Sequence, residues 1–231
     1  MNNIDNFFSK SSSKAEFASL YIDYVSKVIK SISKQSISVF IEALLDTRDK
    51  GGNIYFIGNG GSASTASHFA NDISIGTQSW DKPFRAISLC DNQSIITAIA
   101  NDYGYDYIFS KQLSVFLSKN DLVVAISASG NSTNLIEAIN FAKDLGVLTV
   151  GLVAFDGGRL KEIVDCSVHV QTEKGEYGPA EDASSEEHTS ELQSRRNLVC
   201  RLLLDQNTSL SLLSSFPFTS SLFLLFLPSS S

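Results

Sequence analysis

A short apolar run that breaks into a loop of glycines and hydroxyl residues, and then into an amphipathic helix, occurs twice in this chain. That unit leaves few folds open. In the first copy the run at 54–57, IYFI, passes through Gly58 into GNGGSASTASHFANDI. There Ala63, Ala66, Phe69, Ala70 and Ile73 form a helical stripe, with Ser62 placed to cap it. In the second copy the run at 122–126, LVVAI, enters SASGNSTN and then a helix carrying Leu135, Ile136, Ile139 and Ala142 up to Gly146. Continuous apolar runs of this length read as strands buried on both faces. Further runs at 147–153, 166–170 and 85–89 add strands, and the spacing predicts helices over 92–100 and 107–117. Ahead of them, Phe17, Leu20, Tyr21, Tyr24, Val25, Val28 and Ile29, then Ile37, Phe40, Ile41, Leu44 and Leu45, predict two leading helices. Strands alternating with helices give an α/β fold with a parallel sheet covered on both faces.

The two loops are where chemistry is expected. At the carboxyl end of a strand and the start of a helix, unpaired N–H groups and the helix dipole favour an anion. Asn59, Gly60, Gly61 and Ser62 stand at the first such place; the glycines admit close approach to the backbone and the Ser62 hydroxyl has a proton to donate. Alone, that loop is equally an ordinary capped turn. Ser127, Ser129 and Ser132 repeat the logic after the second strand, and in a doubly wound sheet neighbouring loops of this kind converge on one crevice. A phosphorylated ligand fits such a crevice, and the formal net charge of −7 disfavours nucleic acid or an anionic membrane as partner. His68 and Asp72, four apart on the first helix, share a face and could share a ligand or metal, or be plain solvated residues. Cys90, Cys166 and Cys200 show no paired metal spacing, which fits a reducing compartment, with the cytoplasm as default; no signal peptide is read at the N-terminus. Cys90 reads as a packed thiol, His169 as a partly buried strand residue, and Trp80 and Phe84 as packing residues on a connection.

In this order, the GNGGSA loop, the SHFANDI helix, the AISASGNS loop, the FDGG turn and the GEYGPAED segment resemble sugar isomerase (SIS) domain proteins of the phosphoheptose isomerase type, from about Lys14 to Asp182. The resemblance implies a doubly wound, five-stranded parallel sheet of flavodoxin-like kind and an N-terminal helix pair used in oligomerisation, commonly a homotetramer. It implies isomerisation of sedoheptulose 7-phosphate to a manno-heptose 7-phosphate by proton transfer through an enediolate. By the same resemblance Ser62, Ser127, Ser129 and Ser132 hold the phosphate and Asn59 lines the sugar. His68 matches a zinc-binding histidine. Asp72 matches a catalytic glutamate shortened by one methylene. Glu181 matches a position that supplies a metal or substrate ligand. Asp91, Asn101 and Asp102 lie near the family's sugar contacts. The alternative is a non-catalytic SIS module that binds a phosphosugar or acts as a scaffold.

The composition changes near Ser184. The segment 185–194, SEEHTSELQS, resembles the translation of a sequencing-library adapter, and the Ser- and Leu-rich stretch after it shows no strand–helix alternation. The expected organisation is therefore a flexible start at 1–13, an SIS domain at 14–183 that lacks its last helix, and a non-native tail at 184–231. The family's histidines, three and eight residues past Glu181, fall on Ser184 and Thr189; His188 is one residue off the second, a rotation of about 100 degrees on a helix. The rival reading, a membrane anchor at 222–227, is far short of the roughly 20 residues a spanning helix needs. The chain as written is expected to be inactive or poorly soluble, and the nucleotide sequence across codon 184 decides the origin of the tail.

Overall fold

The computed structural model describes residues 2–185, with side chains described as far as Asp182. Ser184 is described only in its backbone, and His188, Thr189, Cys200 and the run at 222–227 lie outside the described residues, as does nearly all of the expected tail.

Five strands form one sheet: β1 (Asn53–Gly58), β2 (Arg85–Ser88), β3 (Leu122–Ser127), β4 (Leu148–Ala154) and β5 (Cys166–Val170). Every neighbouring pair is parallel, in the order β2-β1-β3-β4-β5. Alternate residues of the central strands feed two separate cores, as the pleat requires. Ile54, Phe56, Leu122, Val124 and Ile126 pack on one side with Phe40, Leu44, Phe69 and Ile73. Tyr55, Ile57, Val123 and Ala125 pack on the other with Leu113, Leu135, Ile139 and Leu160. The first face is covered by α3 (Lys34–Asp49) and α4 (Gly61–Asn71), the second by α6 (Ser110–Phe116), α7 (Thr133–Asp144) and α8 (Gly158–Ile163). The expected doubly wound architecture is thus present.

The chain leaves β1 toward β2 on one side and returns to β3 on the other, so the strand order reverses between β1 and β3. In open α/β sheets the ligand crevice lies at that reversal, outside the carboxyl ends. Both Ser- and Gly-rich loops follow these two strands. Asp121, almost wholly buried, ties the opposite ends of the same strands: one carboxylate oxygen accepts from the Asn53 N–H at 2.7 Å and the other from the Ser118 N–H at 2.6 Å.

The N-terminus departs from expectation. Residues 3–10, expected to be flexible, form α1 (Asn3–Lys10), capped by the Asn2 side chain, which accepts from the Asp5 N–H at 2.9 Å. Phe7 meets Tyr24 of α2 (Lys14–Ser31) edge-on at 5.5 Å, and Phe8 meets Phe17 at 5.8 Å. The Asn3 N–H also donates to the buried Glu176 carboxylate at 2.7 Å. A polar, serine-rich sequence hid these aromatic contacts. Helix α5 (Gln93–Asp102) and α9 (Tyr177–Ser185) complete the elements. The helix expected over 107–117 is shorter than the periodicity implied: Tyr105–Tyr107 make a single 3₁₀ turn before α6. No helix among the described residues is long and apolar enough to cross a membrane.

Candidate functional site

Parallel register brings the two loops side by side. Gly58 pairs with Ile126, so the next residues, Asn59 and Ser127, leave adjacent strands together. Their helices do not start as the sequence suggested. The residue that caps α4 is Gly60, at φ +55°, with no side-chain cap, so Ser62 is not the cap and lies inside the first turn. Ser132 precedes α7 and likewise makes no side-chain cap bond. Both helix starts therefore present backbone N–H groups toward the crevice side of the sheet.

The second loop is held rigidly from below. Ser127 Oγ accepts from the Gly130 N–H at 3.1 Å, and Ser129 Oγ from the Asn131 N–H at 3.3 Å. A serine oxygen that accepts still carries a proton to donate. The FDGG turn packs directly beneath: the Leu160 N–H donates to the Gly130 carbonyl at 2.8 Å and the Arg159 N–H to Asn131 Oδ1 at 3.0 Å. Asn59 joins the two loops. Its side-chain amide exchanges two hydrogen bonds with that of Asn134, each at 2.9 Å, and Asn59 Oδ1 also accepts from the Tyr105 hydroxyl at 3.0 Å.

Next to this junction, Ser62 and Thr65 of α4, Ile126 and Ala128 of the second strand and loop, Leu152 to Ala154, and Ala180 and Glu181 of α9 line a small cleft, with about 10 Å³ of enclosed space. Glu181 reaches across it to the start of α4: a Cβ on Gly61 would lie 2.3 Å from Glu181 Oε1. Glycine at 61 is thus what admits the carboxylate to the positive end of the helix. The structure brings Ser62 and Glu181 together in one cleft. It sets Asn59, Ser127, Ser129 and Ser132 on the loops at its edge.

His68 and Asp72 stand farther along α4. The Asp72 N–H still donates to the His68 carbonyl, so the two share a helical face as expected, with His68 exposed and Asp72 half-buried. At Asp72 the helix widens into one π turn, Asp72–Gly76, where Ser74 and Thr77 hydroxyls donate to the carbonyls of Ala70 and Ile73. Asn71 donates to Asp72 Oδ1 at 3.1 Å. The zinc expectation placed His68, Asp72 and Glu181 around one ion. Among the described residues no three His, Cys, Asp or Glu side chains are grouped to hold a metal.

Several other residues are placed. Cys90 is a packed thiol: its Sγ donates to the Gly58 carbonyl at 3.4 Å, and burial pushes its pKa up despite that bond and one from Ser88. Asp91 accepts from the Ser67 hydroxyl, while Asn101 and Asp102 bond each other on an exposed helix end. His169 Nε2 lies 2.9 Å from the Phe155 carbonyl and Nδ1 3.0 Å from Lys161 Nζ, a structural role. Phe84 is buried under the Arg48 guanidinium, 4.7 Å from the ring centroid, but Trp80 is 65% exposed and packs little. Sequence reasoning missed Asn134 and Tyr105. Asn134 is almost completely buried, and a polar residue at the start of a helix whose neighbours face the sheet was the available signal.

A doubly wound parallel sheet with two hydroxyl-bearing loops at its reversal point, and a carboxylate at the start of the first helix, is an α/β domain with its crevice at the carboxyl ends of β1 and β3. The chain belongs to the SIS domain family, whose sequence pattern matches residues 20–154. It is 39% identical over 146 residues to a phosphoheptose isomerase of Aliarcobacter butzleri, covering 63% of this chain and 77% of that one. Against a phosphoheptose isomerase of Helicobacter pylori the identity is 42% over 133 residues, covering 58% and 69%. Among solved structures, the phosphoheptose isomerase of Neisseria gonorrhoeae superposes with a TM-score of 0.66 at 29% identity, over 83% of this chain and 94% of that one. That of Francisella tularensis, at 22% identity, shares the fold with a TM-score of 0.67, over 84% and 97%.

Proposed function

We propose that the parent protein of this chain is a phosphosugar isomerase that converts sedoheptulose 7-phosphate to D-glycero-D-manno-heptose 7-phosphate. The observation that carries the reading is Glu181 beside Ser62 in one cleft, at the point where the two hydroxyl loops meet. Two anions do not share one helix end without mutual repulsion. With the Glu181 carboxylate at the start of α4, the phosphate belongs at the start of α7, among Ser127, Ser129 and Ser132. Isomerisation needs a group that removes a proton from the carbon beside a carbonyl and returns it to the neighbouring carbon. Glu181 is the carboxylate in the cleft, and Asp72 on α4 is the second candidate; losing a methylene from the family's glutamate shifts that carboxylate by roughly an ångström, which costs about a hundredfold in rate. Relatives named phosphoheptose isomerase support the substrate class. A cytoplasmic homotetramer belongs to the same proposal. Zinc enters it only as a ligand to be tested, and no proton-transfer step is assigned to it.

The alternative, a phosphosugar-binding or scaffold module without catalysis, is favoured by Asp72, which stands where the family has a glutamate. The test is to incubate an untruncated version of the protein with sedoheptulose 7-phosphate, with and without added zinc, and to follow the aldose by chromatography while measuring binding by calorimetry. Turnover establishes the isomerase. Binding without turnover establishes the module, and failure to bind overturns both.

A further inference from the structure

We infer that Tyr105 is a sugar-contact residue, and that it rather than the Asn59 oxygen reads a hydroxyl of the bound sugar; this rests on the phosphosugar reading of the site. Asn59 Oδ1 has two acceptor positions, and both are taken, one by Asn134 Nδ2 at 2.9 Å and one by the Tyr105 hydroxyl at 3.0 Å. Asn59 Nδ2 gives one of its protons to Asn134 Oδ1. Asn134 is 2% exposed, so the paired amides are anchored in the protein and cannot turn toward a ligand without leaving a buried polar group unpaired. What the junction offers a ligand is one Asn59 N–H and the acceptor lone pairs of the Tyr105 oxygen. That oxygen is aimed by its own donated bond, while the ring stands 56% exposed on the 3₁₀ turn Tyr105–Tyr107, entered through Gly104 at φ +101°. An exposed aromatic ring with a fixed hydroxyl is suited to a polyol, presenting an apolar face and one directed acceptor.

Tyr105→Phe keeps the ring and removes only the oxygen. By calorimetry on the full chain, we expect it to bind sedoheptulose 7-phosphate about fivefold more weakly, the loss of one hydrogen bond, with affinity for inorganic phosphate unchanged. Tyr105→Leu, which also removes the ring, should weaken sugar binding further and again spare phosphate. Equal losses for both ligands would mean that Tyr105 merely braces the loops, and would overturn the inference. Unchanged or tighter sugar binding by Tyr105→Phe would do the same, since it would leave Asn59 as the reader. If the unsubstituted chain binds inorganic phosphate but no sugar phosphate, the phosphosugar reading itself falls and this one with it.

Discussion

At Gly130 the backbone sits at φ +64°, and a methyl group would meet the Gly157 carbonyl oxygen at 1.9 Å. Gly146 shares the left-handed angle, at φ +70°, but has nothing within 4 Å of where its Cβ would be. The pair separates conformational strain from steric contact. Gly146→Ala should cost only the left-handed penalty, about 1–2 kcal/mol in thermal or denaturant unfolding. Gly130→Ala should cost about 1–3 kcal/mol more, because the FDGG turn must move, and should also weaken phosphate binding by displacing Ser127 and Ser129. The sequence showed that both loops needed glycine and serine, since those residue types announce themselves. It did not show which hydroxyl caps a helix and which lines a cleft. Ser62 looked like a cap because serine is a good one, yet Gly60 took that place through a φ that only glycine adopts at low cost. Asn134 was invisible for a different reason: its partner, Asn59, is 75 residues away, and no local pattern encodes a contact of that range.

Long-range polar contacts tie α2 to α9 and to the residue before it. Tyr24 donates to Glu176 at 2.5 Å and Tyr21 to Asp182 at 2.6 Å, so one turn of α2 grips both sides of the segment that carries Glu181. Burial, and then the bond to Glu176, push the Tyr24 pKa up to about 12 from an ordinary 10.0; burial and Asp182 push that of Tyr21 up as well. The folded chain therefore keeps these phenol protons to higher pH than the unfolded chain does. Their contribution to stability is complete below about pH 10 and is lost as pH rises toward 12. Urea midpoints measured between pH 9 and 12 should fall along that limb, and Tyr24→Phe should flatten it. At neutral pH the same substitution should cost about 1–3 kcal/mol, because it removes a donor from a carboxylate that is 1% exposed. Helix existence was legible here from the apolar spacing of Phe17 to Ile29, but the partner of its polar edge was not. The two tyrosines counted as stripe residues, and their hydroxyls carry the contacts.

The sheet as a unit was the most legible part, because its information is carried by continuous apolar runs and by glycines that punctuate them. Strand order was not in the runs; it followed from the chain reversing direction between β1 and β3, which is also what gathers the two loops. A ligand held by both halves stabilises the fold only in its native arrangement. At a hundred times its dissociation constant a phosphosugar should add about 2.7 kcal/mol. For a domain of this size that is a rise of roughly 5–10 °C in Tm, measured by differential scanning calorimetry. A rise given by inorganic phosphate but not by sugar phosphates would contradict the site proposed.

The reciprocal amide pair of Asn59 and Asn134 has a meaning for recombination. One asparagine follows the first strand and the other opens the helix after the third, so any crossover between positions 59 and 134 draws the two from different parents. A chimera that matches asparagine with asparagine inherits a closed junction. One that matches it with an aliphatic residue inherits an amide with no partner in the place least able to hydrate it, and breeding new sugar specificities from such halves should succeed only where both parents kept the pair.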